Sequence, residues 1–348
     1  MGLLKKIDKH RRKVMKSMTK SVGQVPMTIP KEPIDKQAIQ RVLICRPNHR
    51  LGNQLLLTPL VEELWKTLPH CKVDIFAKGG LSPILFESYP NVDRYILLPK
   101  KHFKQLFSYL NAWVTLKKRS YDLVINVDGG SSSGRLSTKH ARGKYKIFGD
   151  KMPELSAQHQ DYNHIAKNPV YNLREFFKKS GISPSTDEVP TLNLMLRPTE
   201  IESAKNILDD IVKNEKKTLC IFTNATGAKK HSEAWWNEFY DKLKDACSAY
   251  NVVEVLPVEN TSQIGFRAPS FYSKDIREIA AFMANTELFV GTDSGMMHLA
   301  VTSGTTTIGL FSVTDPKKYE PYGQKNRAVN TSQTTIDELV ALIQAQLL

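Results

Sequence analysis

The sequence contains few cysteines and no long apolar run. Its four cysteines, Cys45, Cys71, Cys220 and Cys247, are widely spaced and include no C-x-x-C pair. This spacing is not typical of a zinc site or a disulfide framework, so we predict reduced, buried thiols in a cytoplasmic protein. No stretch approaches the roughly 18 to 20 apolar residues of a membrane-spanning helix. No secretory signal is recognisable either.

Two nucleotide-binding fingerprints are also missing. No G-x-G-x-x-G follows a predicted strand, and no G-x-x-x-x-G-K-[ST] occurs anywhere in the chain. The first is typical of nicotinamide oxidoreductases and the second of P-loop NTPases. The sequence therefore favours neither class.

Positive charge is present in excess and is unevenly distributed. The formal net charge is +14, and residues 1–20 contain eight lysine or arginine residues and one aspartate, a net +7. The basic segment suits an anionic surface, and its apolar residues recur at near-helical spacing, which favours an interfacial membrane helix over a nucleic-acid arm. The alternative is a solvated tail. Nucleic-acid binding is not expected, because no module that reads nucleic acid is recognisable.

Apolar segments of strand and helix length alternate along the chain. Strands are predicted at 41–46, 72–77, 94–98 and 122–127, with helices at 55–67, 81–88 and 103–118. Prolines then mark residues 183–199, after which the pattern restarts and ends in an apolar helix at 336–348. This alternation predicts α/β domains with parallel sheets, which bind ligands at the carboxyl ends of their strands.

The segment 289–311 predicts a strand, a polar turn, a short helix and a second strand. Thr292, Asp293, Ser294 and Gly295 lie at the start of the helix, where unpaired N–H groups and the helix dipole favour an anionic group. His298 follows about one turn later and could face the same ligand. Helix capping alone would also explain Asp293 and Ser294, and His298 could be a hydrogen-bonded helix residue.

Two further polar motifs follow predicted strands. The first is Arg46-Pro-Asn-His-Arg-Leu-Gly-Asn-Gln-Leu-Leu-Leu-Thr-Pro-Leu60, and the second is Lys230-His231, which precedes Trp235-Trp236. The spacing of Trp235, Trp236, Phe239, Tyr240 and Leu243 predicts a core face of a helix. Taken in order with the Asp293-Ser-Gly-x-x-His298 block, the motifs resemble the family-9 glycosyltransferases. These include the heptosyltransferases of lipopolysaccharide core synthesis, and the resemblance covers roughly residues 41–348.

The resemblance implies a GT-B fold with two Rossmann-like parallel-sheet domains facing a central cleft. We divide the chain into a basic segment (1–30), an acceptor-side domain (31–190), a nucleotide-sugar domain (191–335) and a helix crossing back to the first domain (336–348). The implied activity is inverting sugar transfer without metal or cofactor. The donor would be a nucleotide diphosphate sugar such as ADP-heptose, and the acceptor an anionic glycolipid at the inner membrane.

The same resemblance suggests roles for individual residues. We take Asn53, Asp128 and Lys230 as candidate catalytic residues. The candidate substrate-binding residues are Gly52, Lys229, Thr292, Asp293, Ser294, Gly295 and His298. Backbone amides at 292–295 would hold the diphosphate, and Lys230 with Lys229 would neutralise the leaving group. Lys229 and Lys230 could instead belong to a solvated loop.

Asn53 departs from the family pattern, in which an aspartate follows Leu-Gly. An asparagine can hydrogen-bond a hydroxyl but cannot accept its proton as a carboxylate does. Three explanations stay open: another base, an acceptor acidic enough to need little help, or a protein that binds nucleotide or glycolipid without turnover. Asp128 is the first candidate base and His49 the second. Asp128 could also be a loop cap before Gly129-Gly130.

Overall fold

The computed structural model describes residues 22, 25–101, 104–323 and 325–348, which form two compact units. The first unit comprises the described residues up to His49 together with Pro59–Pro190. The second comprises Arg50–Thr58 and Thr191–Leu348. The interfacial helix predicted at residues 1–20 lies outside the described residues.

The first unit contains a five-stranded parallel sheet in the order β3-β2-β1-β4-β5. The strands are β1 (Arg41–Arg46), β2 (Lys72–Lys78), β3 (Val92–Leu98), β4 (Ser120–Asn126) and β5 (Arg142–Ile147). The helices of this half of the chain are α1 (Leu51–Leu55), α2 (Thr58–Thr67), α3 (Ser82–Leu85), α4 (Leu106–Lys118), α5 (Ser132–His140), α6 (Pro153–Gln158) and α7 (Lys167–Lys179). Of these, α1 groups with the second unit.

The second unit contains a six-stranded parallel sheet in the order β8-β7-β6-β9-β10-β11. The strands are β6 (Thr218–Phe222), β7 (Asn251–Val255), β8 (Ser270–Phe271), β9 (Leu288–Thr292), β10 (Thr306–Phe311) and β11 (Arg327–Asn330). The helices are α8 (Pro198–Val212), α9 (Glu233–Ala246), α10 (Ile276–Ala284), α11 (Gly295–Thr302), α12 (Pro316–Tyr319) and α13 (Ile336–Leu347). A 3-10 turn spans Gly227–Lys229.

The central strands are buried along their length, which explains their continuous apolar sequences. Every residue of β6 and β9 is buried, as are all residues of β1 except Arg41. Such runs suit strands that helices cover on both faces. The prediction of two parallel α/β sheets is confirmed.

Both sheets have the doubly wound strand order. The first strand of each unit, β1 or β6, lies inside the sheet between the second strand and the fourth. Loops leaving the carboxyl ends of the first and fourth strands diverge to opposite faces, and ligands bind in the crevice that this opens. The expected ligand-binding crevices are therefore at the β1/β4 and β6/β9 strand ends.

The apolar face of the last helix packs within the second unit. Its side chains Ile336, Leu339, Val340 and Ile343 are buried in the same core cluster as Trp236 of α9. The crossing of 336–348 to the first domain stays a prediction. The core role predicted for the α9 aromatic stripe is confirmed, because Trp236, Phe239, Tyr240 and Leu243 are buried and Trp235 packs against them.

The four cysteines are buried and unpaired. Within the described ranges, no helix combines the length and apolar character needed to cross a bilayer.

Candidate functional site

The β6/β9 strand ends in the second unit bring two predicted motifs together. The Thr292 hydroxyl at the end of β9 donates a hydrogen bond of 3.0 Å to the carbonyl oxygen of Asn224, which follows β6. This bond joins the two loops directly beside the start of α11. The Thr292 side chain is thereby used inside the protein, where it is 1% exposed.

The start of α11 presents backbone N–H groups. Ser294 is the N-cap, and its hydroxyl accepts from the amide of Met297 at 3.4 Å. The amides of Gly295 and Met296 belong to the first turn, where a helix offers no internal partner. The Asp293 amide donates to Leu310 O at 2.9 Å. The expected set of anion-binding amides at 292–295 therefore excludes Asp293 and shifts toward the helix.

A lysine–aspartate pair lies beside this helix start. Lys229 Nζ forms an ion pair with Asp293 Oδ2 and a 3.3 Å hydrogen bond to Asp293 O. The Thr314 hydroxyl donates to the same carboxylate at 2.6 Å. The Asp293 side chain is 4% exposed and that of Lys229 is 31% exposed. An ammonium has three N–H groups, so one remains for a ligand.

The two neighbouring lysines have different environments. Lys229 contacts Asp293 and lies 5.9 Å from the centre of the Tyr319 ring. Lys230 is exposed and forms no ion pair with any acidic residue that the structure describes. Of the two, Lys229 is the one that contacts the start of α11, whereas the family resemblance implies the leading role for Lys230.

His298 is a buried member of the same group. Its side chain is 4% exposed, and burial lowers its pKa to about 4, with Asp293 opposing the shift and Lys229 adding to it. The imidazole is therefore neutral at pH 7. A neutral ring can donate one hydrogen bond without bringing a second positive charge.

The short helix α1 packs directly against α11. A side chain added at Gly52 would place its Cβ 2.8 Å from Cδ2 of His298, and one at Gly295 would lie 3.1 Å from Leu51 Cβ. The two helices approach so closely because both positions are glycine. Asn53, next to Gly52 on α1, is half-buried and hydrogen-bonded or otherwise partnered in the structure.

A buried carboxylate holds the loop after β7. Glu254 accepts hydrogen bonds from Thr223 and, at 2.6 Å, from the Ser262 hydroxyl. Burial raises the pKa of Glu254, and the two hydroxyl groups oppose the shift. Ser262 Oγ in turn accepts from the amides of Ile264 at 3.1 Å and Phe266 at 3.0 Å. This network therefore fixes the start of the loop between β7 and β8.

The β1/β4 strand ends in the first unit carry a second ion pair. Arg46 Nη1 donates to Asp128 Oδ2 at 2.7 Å, and the Gly130 amide donates to Asp128 Oδ1 at 3.0 Å. The Arg46 side chain is 4% exposed and that of Asp128 is 39% exposed. Asp128 thus caps its loop, as the alternative interpretation held, while its carboxylate stays accessible. His49 is exposed in the same unit.

Several members of these sites were not predicted from the sequence. Arg46 lies inside a quoted motif, but nothing in that motif identified Asp128 as its partner. Thr314 follows the segment 289–311, and no sequence signal indicated its contact with Asp293. Glu254 was missed because its valine neighbours in β7 indicate only a strand. No group of three or more His, Cys, Asp or Glu residues in the described part of the chain could hold a metal ion.

Comparison with known proteins relates these features to one family. Residues 273–342 match the model of glycosyltransferase family 9 (heptosyltransferase). A lipopolysaccharide core heptosyltransferase, OpsX of Haemophilus influenzae, is 22% identical over 263 residues, which cover 71% of this chain and 72% of that protein.

Solved structures show a likeness in fold. A family 9 glycosyl transferase from Veillonella parvula has a TM-score of 0.70 at 16% identity, over 88% of this chain and 97% of its own. The E. coli heptosyltransferase WaaC with ADP has a TM-score of 0.65 at 20% identity, over 88% of this chain and 100% of its own. The two parallel-sheet domains are thus of the GT-B type. The partial family match and these relatives support a heptosyltransferase-like protein that resembles glycosyltransferase family 9.

Proposed function

We propose that this glycosyltransferase transfers a sugar from a nucleotide diphosphate to a lipopolysaccharide-type acceptor with inversion of the anomeric centre. Heptose is the first candidate for the sugar. The observation that carries the proposal is the arrangement at the start of α11. There, backbone amides, the neutral His298 and the one-third exposed cation of Lys229 belong to the same helix start. Helix amides and a nearby cation are what a departing diphosphate requires.

In the proposed reaction the acceptor hydroxyl oxygen forms a bond to the anomeric carbon of the sugar. The bond from that carbon to the β-phosphate oxygen breaks, and the nucleoside diphosphate leaves with the electron pair. Lys229 and the amides of Gly295 and Met296 stabilise the added negative charge. Asp293 cannot do so itself; it orients Lys229, and Thr314 and Lys229 offset its own charge.

The proton of the acceptor hydroxyl must go to a base. We assign this role to Asp128, because its carboxylate is the exposed member of its ion pair and each oxygen retains a lone pair beyond its observed hydrogen bond. Asn53 would orient a hydroxyl rather than accept a proton. His49 stays the second candidate base.

The donor and the cellular setting are part of the same proposal. An ADP-linked sugar donor is suggested by the structural relative solved with ADP. A lipopolysaccharide acceptor is suggested by the sequence relative, a lipopolysaccharide core heptosyltransferase. Transfer by these residues needs no metal. We place the protein in the cytoplasm, peripherally associated with the inner membrane, with residues 1–20 contributing basic charge to the contact.

The direct test is incubation of purified protein with ADP-heptose and a phosphorylated lipopolysaccharide core acceptor, followed by quantitation of ADP and of the glycosylated product. We expect acceptor-dependent ADP release. No binding of any nucleoside diphosphate would contradict the proposal. Asn53→Asp then tests the role of Asn53: a large gain of transfer identifies a lost base and hence a binding relative, whereas a loss of measurable transfer gives Asn53 a productive role.

A further inference from the structure

Helix α4 of the first unit exposes a row of large apolar side chains. Leu106, Phe107, Leu110 and Val114 are 60%, 85%, 55% and 50% exposed; we call them the α4 stripe. Ala112 and Leu116 on the other side of the helix are buried in the core cluster of the sheet. The helix is therefore anchored by one face while a second apolar face meets solvent.

The spacing of the α4 stripe makes it continuous. Residues 106, 110 and 114 are four apart, and neighbours at this spacing lie on one side of a helix. Phe107 widens the row at its amino-terminal end. Among the described residues, no other helix exposes more than one large apolar side chain. Single exposed apolar residues are ordinary, but a contiguous patch marks an interaction surface.

Positive charge brackets the α4 stripe at both ends. Residues 100–119 contain no Asp or Glu. Their exposed lysines are Lys100, Lys101, Lys104, Lys117 and Lys118. None of these five forms an ion pair with an acidic residue that the structure describes, whereas Arg119 is paired with Asp74 and Asp93. The partner must therefore offer negative charge next to an apolar phase.

An anionic bilayer meets both requirements, because lipid phosphates face the lysines while the acyl boundary receives the apolar side chains. Charge complementarity disfavours the other occupants. Residues 1–20 carry a net +7, so the chain's own basic segment would add like charge to the patch. A second copy docking through the same face would do the same. Nucleic acid would satisfy the lysines but leave Phe107 and Leu110 in water.

We propose that the α4 stripe and its five lysines form a docking surface for an anionic lipid bilayer. The helix lies in the plane of the interface, with Phe107 inserted deepest since it is the most exposed side chain of the stripe. This inference is independent of the proposed sugar transfer and of residues 1–20.

The test is co-sedimentation of the full chain with vesicles of phosphatidylglycerol and phosphatidylcholine, compared with phosphatidylcholine alone. We expect preference for the anionic vesicles, and we expect the double variant Phe107→Ser/Leu110→Ser to bind them at least tenfold more weakly. The matched control is Asn111→Ser/Thr115→Ser, which alters exposed polar positions of the same helix and should bind like the natural chain. ADP affinity, measured separately, should be equal in all three proteins.

A single-site readout keeps the inference testable if the double variant folds poorly. Phe107→Trp should show a blue-shifted and more intense indole emission on adding anionic vesicles, with a smaller change at high salt. Equal vesicle binding by the natural chain and the stripe variant would overturn the proposal. So would binding that vanishes on deleting residues 1–20 while the stripe is intact, or a dimer that the stripe variant alone dissociates.

Discussion

The two sheets carry the same kind of ion pair at equivalent strand ends, but with opposite exposure. At the β1/β4 end the cation Arg46 is 4% exposed and the carboxylate of Asp128 is 39% exposed. At the β6/β9 end the carboxylate of Asp293 is 4% exposed and the cation Lys229 is 31% exposed. One crevice therefore presents a carboxylate to solvent, and the other presents an ammonium beside helix amides.

This inversion assigns different chemistry to two crevices of similar topology. An accessible carboxylate can accept a proton, and an accessible ammonium can stabilise a developing negative charge. In each case the buried partner holds the exposed group in place. Breaking either ion pair costs stability, because it leaves an unpaired charge in the protein interior. Substitutions in one crevice at a time should therefore separate the two roles.

The largest effect is expected at the exposed carboxylate of the first unit. Asp128→Asn should keep the fold and lower kcat by about 10²- to 10⁴-fold, the usual loss on removing a positioned base. ADP affinity, measured by titration calorimetry, should not change. His49→Ala is the comparison; a larger loss of kcat there than at Asp128→Asn would transfer the role of base to His49.

The exposed cation of the second unit should govern nucleotide binding. Lys229→Ala should weaken ADP binding by about 10- to 100-fold, in the range of one lost charge-assisted hydrogen bond. It should also lower the free energy of unfolding, since the buried Asp293 loses its cation and retains the hydrogen bond from Thr314. Lys230→Ala is the matched control and should bind ADP nearly as the natural chain does. Equal losses in both variants would show that the pairing with Asp293 is irrelevant to binding.

The close approach of α1 to α11 gives a packing prediction. Gly52→Ala places a Cβ 2.8 Å from the buried His298 ring, so the free energy of unfolding should fall by about 1 to 3 kcal/mol. Thermal or urea unfolding measures this. Gly80→Ala is the control, because a Cβ there meets nothing within 4 Å. A Gly52→Ala protein as stable as the natural one would mean that the helices do not pack as described.

The smallest effect concerns the neutral state of His298. Burial lowers its folded-state pKa to about 4 from an ordinary 6.5, so the unfolded chain binds the proton first as the pH falls. The contribution of the neutral ring to stability is complete above about pH 6.5 and is lost progressively toward pH 4. Between pH 7 and 5.5 the natural chain should lose about 1 kcal/mol relative to His298→Gln, as urea unfolding at each pH would measure. A difference that does not vary with pH would contradict the buried, neutral assignment.

The sequence predicted the strands and helices with strong apolar patterns and missed those without them. The bounds of β1 agree with the predicted 41–46, and α11 lies where the segment 289–311 predicts a short helix. Strand β5 was missed because Arg142, Lys144 and Lys146 alternate with less polar residues. It lies at the sheet edge, where charged side chains are common and an apolar run is not required.

The motifs located the β6/β9 site but could not identify its contacts. Which of two adjacent lysines reaches Asp293 depends on the 3-10 turn at Gly227–Lys229, which begins with a φ of 67° at Gly227. Two adjacent lysines in a sequence do not indicate such a turn. Similarly, Arg46 and Asp128 are 82 residues apart and meet only because β1 and β4 are neighbours in the sheet.

The most direct test is a calorimetric comparison of ADP, AMP and adenosine binding to the natural chain and to Lys229→Ala. We expect ADP to bind the natural chain at least about tenfold more tightly than AMP. Lys229→Ala should remove most of this difference and leave adenosine binding unaffected. Equal affinity of the natural chain for ADP and AMP, or an ADP preference that survives the substitution, would contradict a diphosphate site at the start of α11.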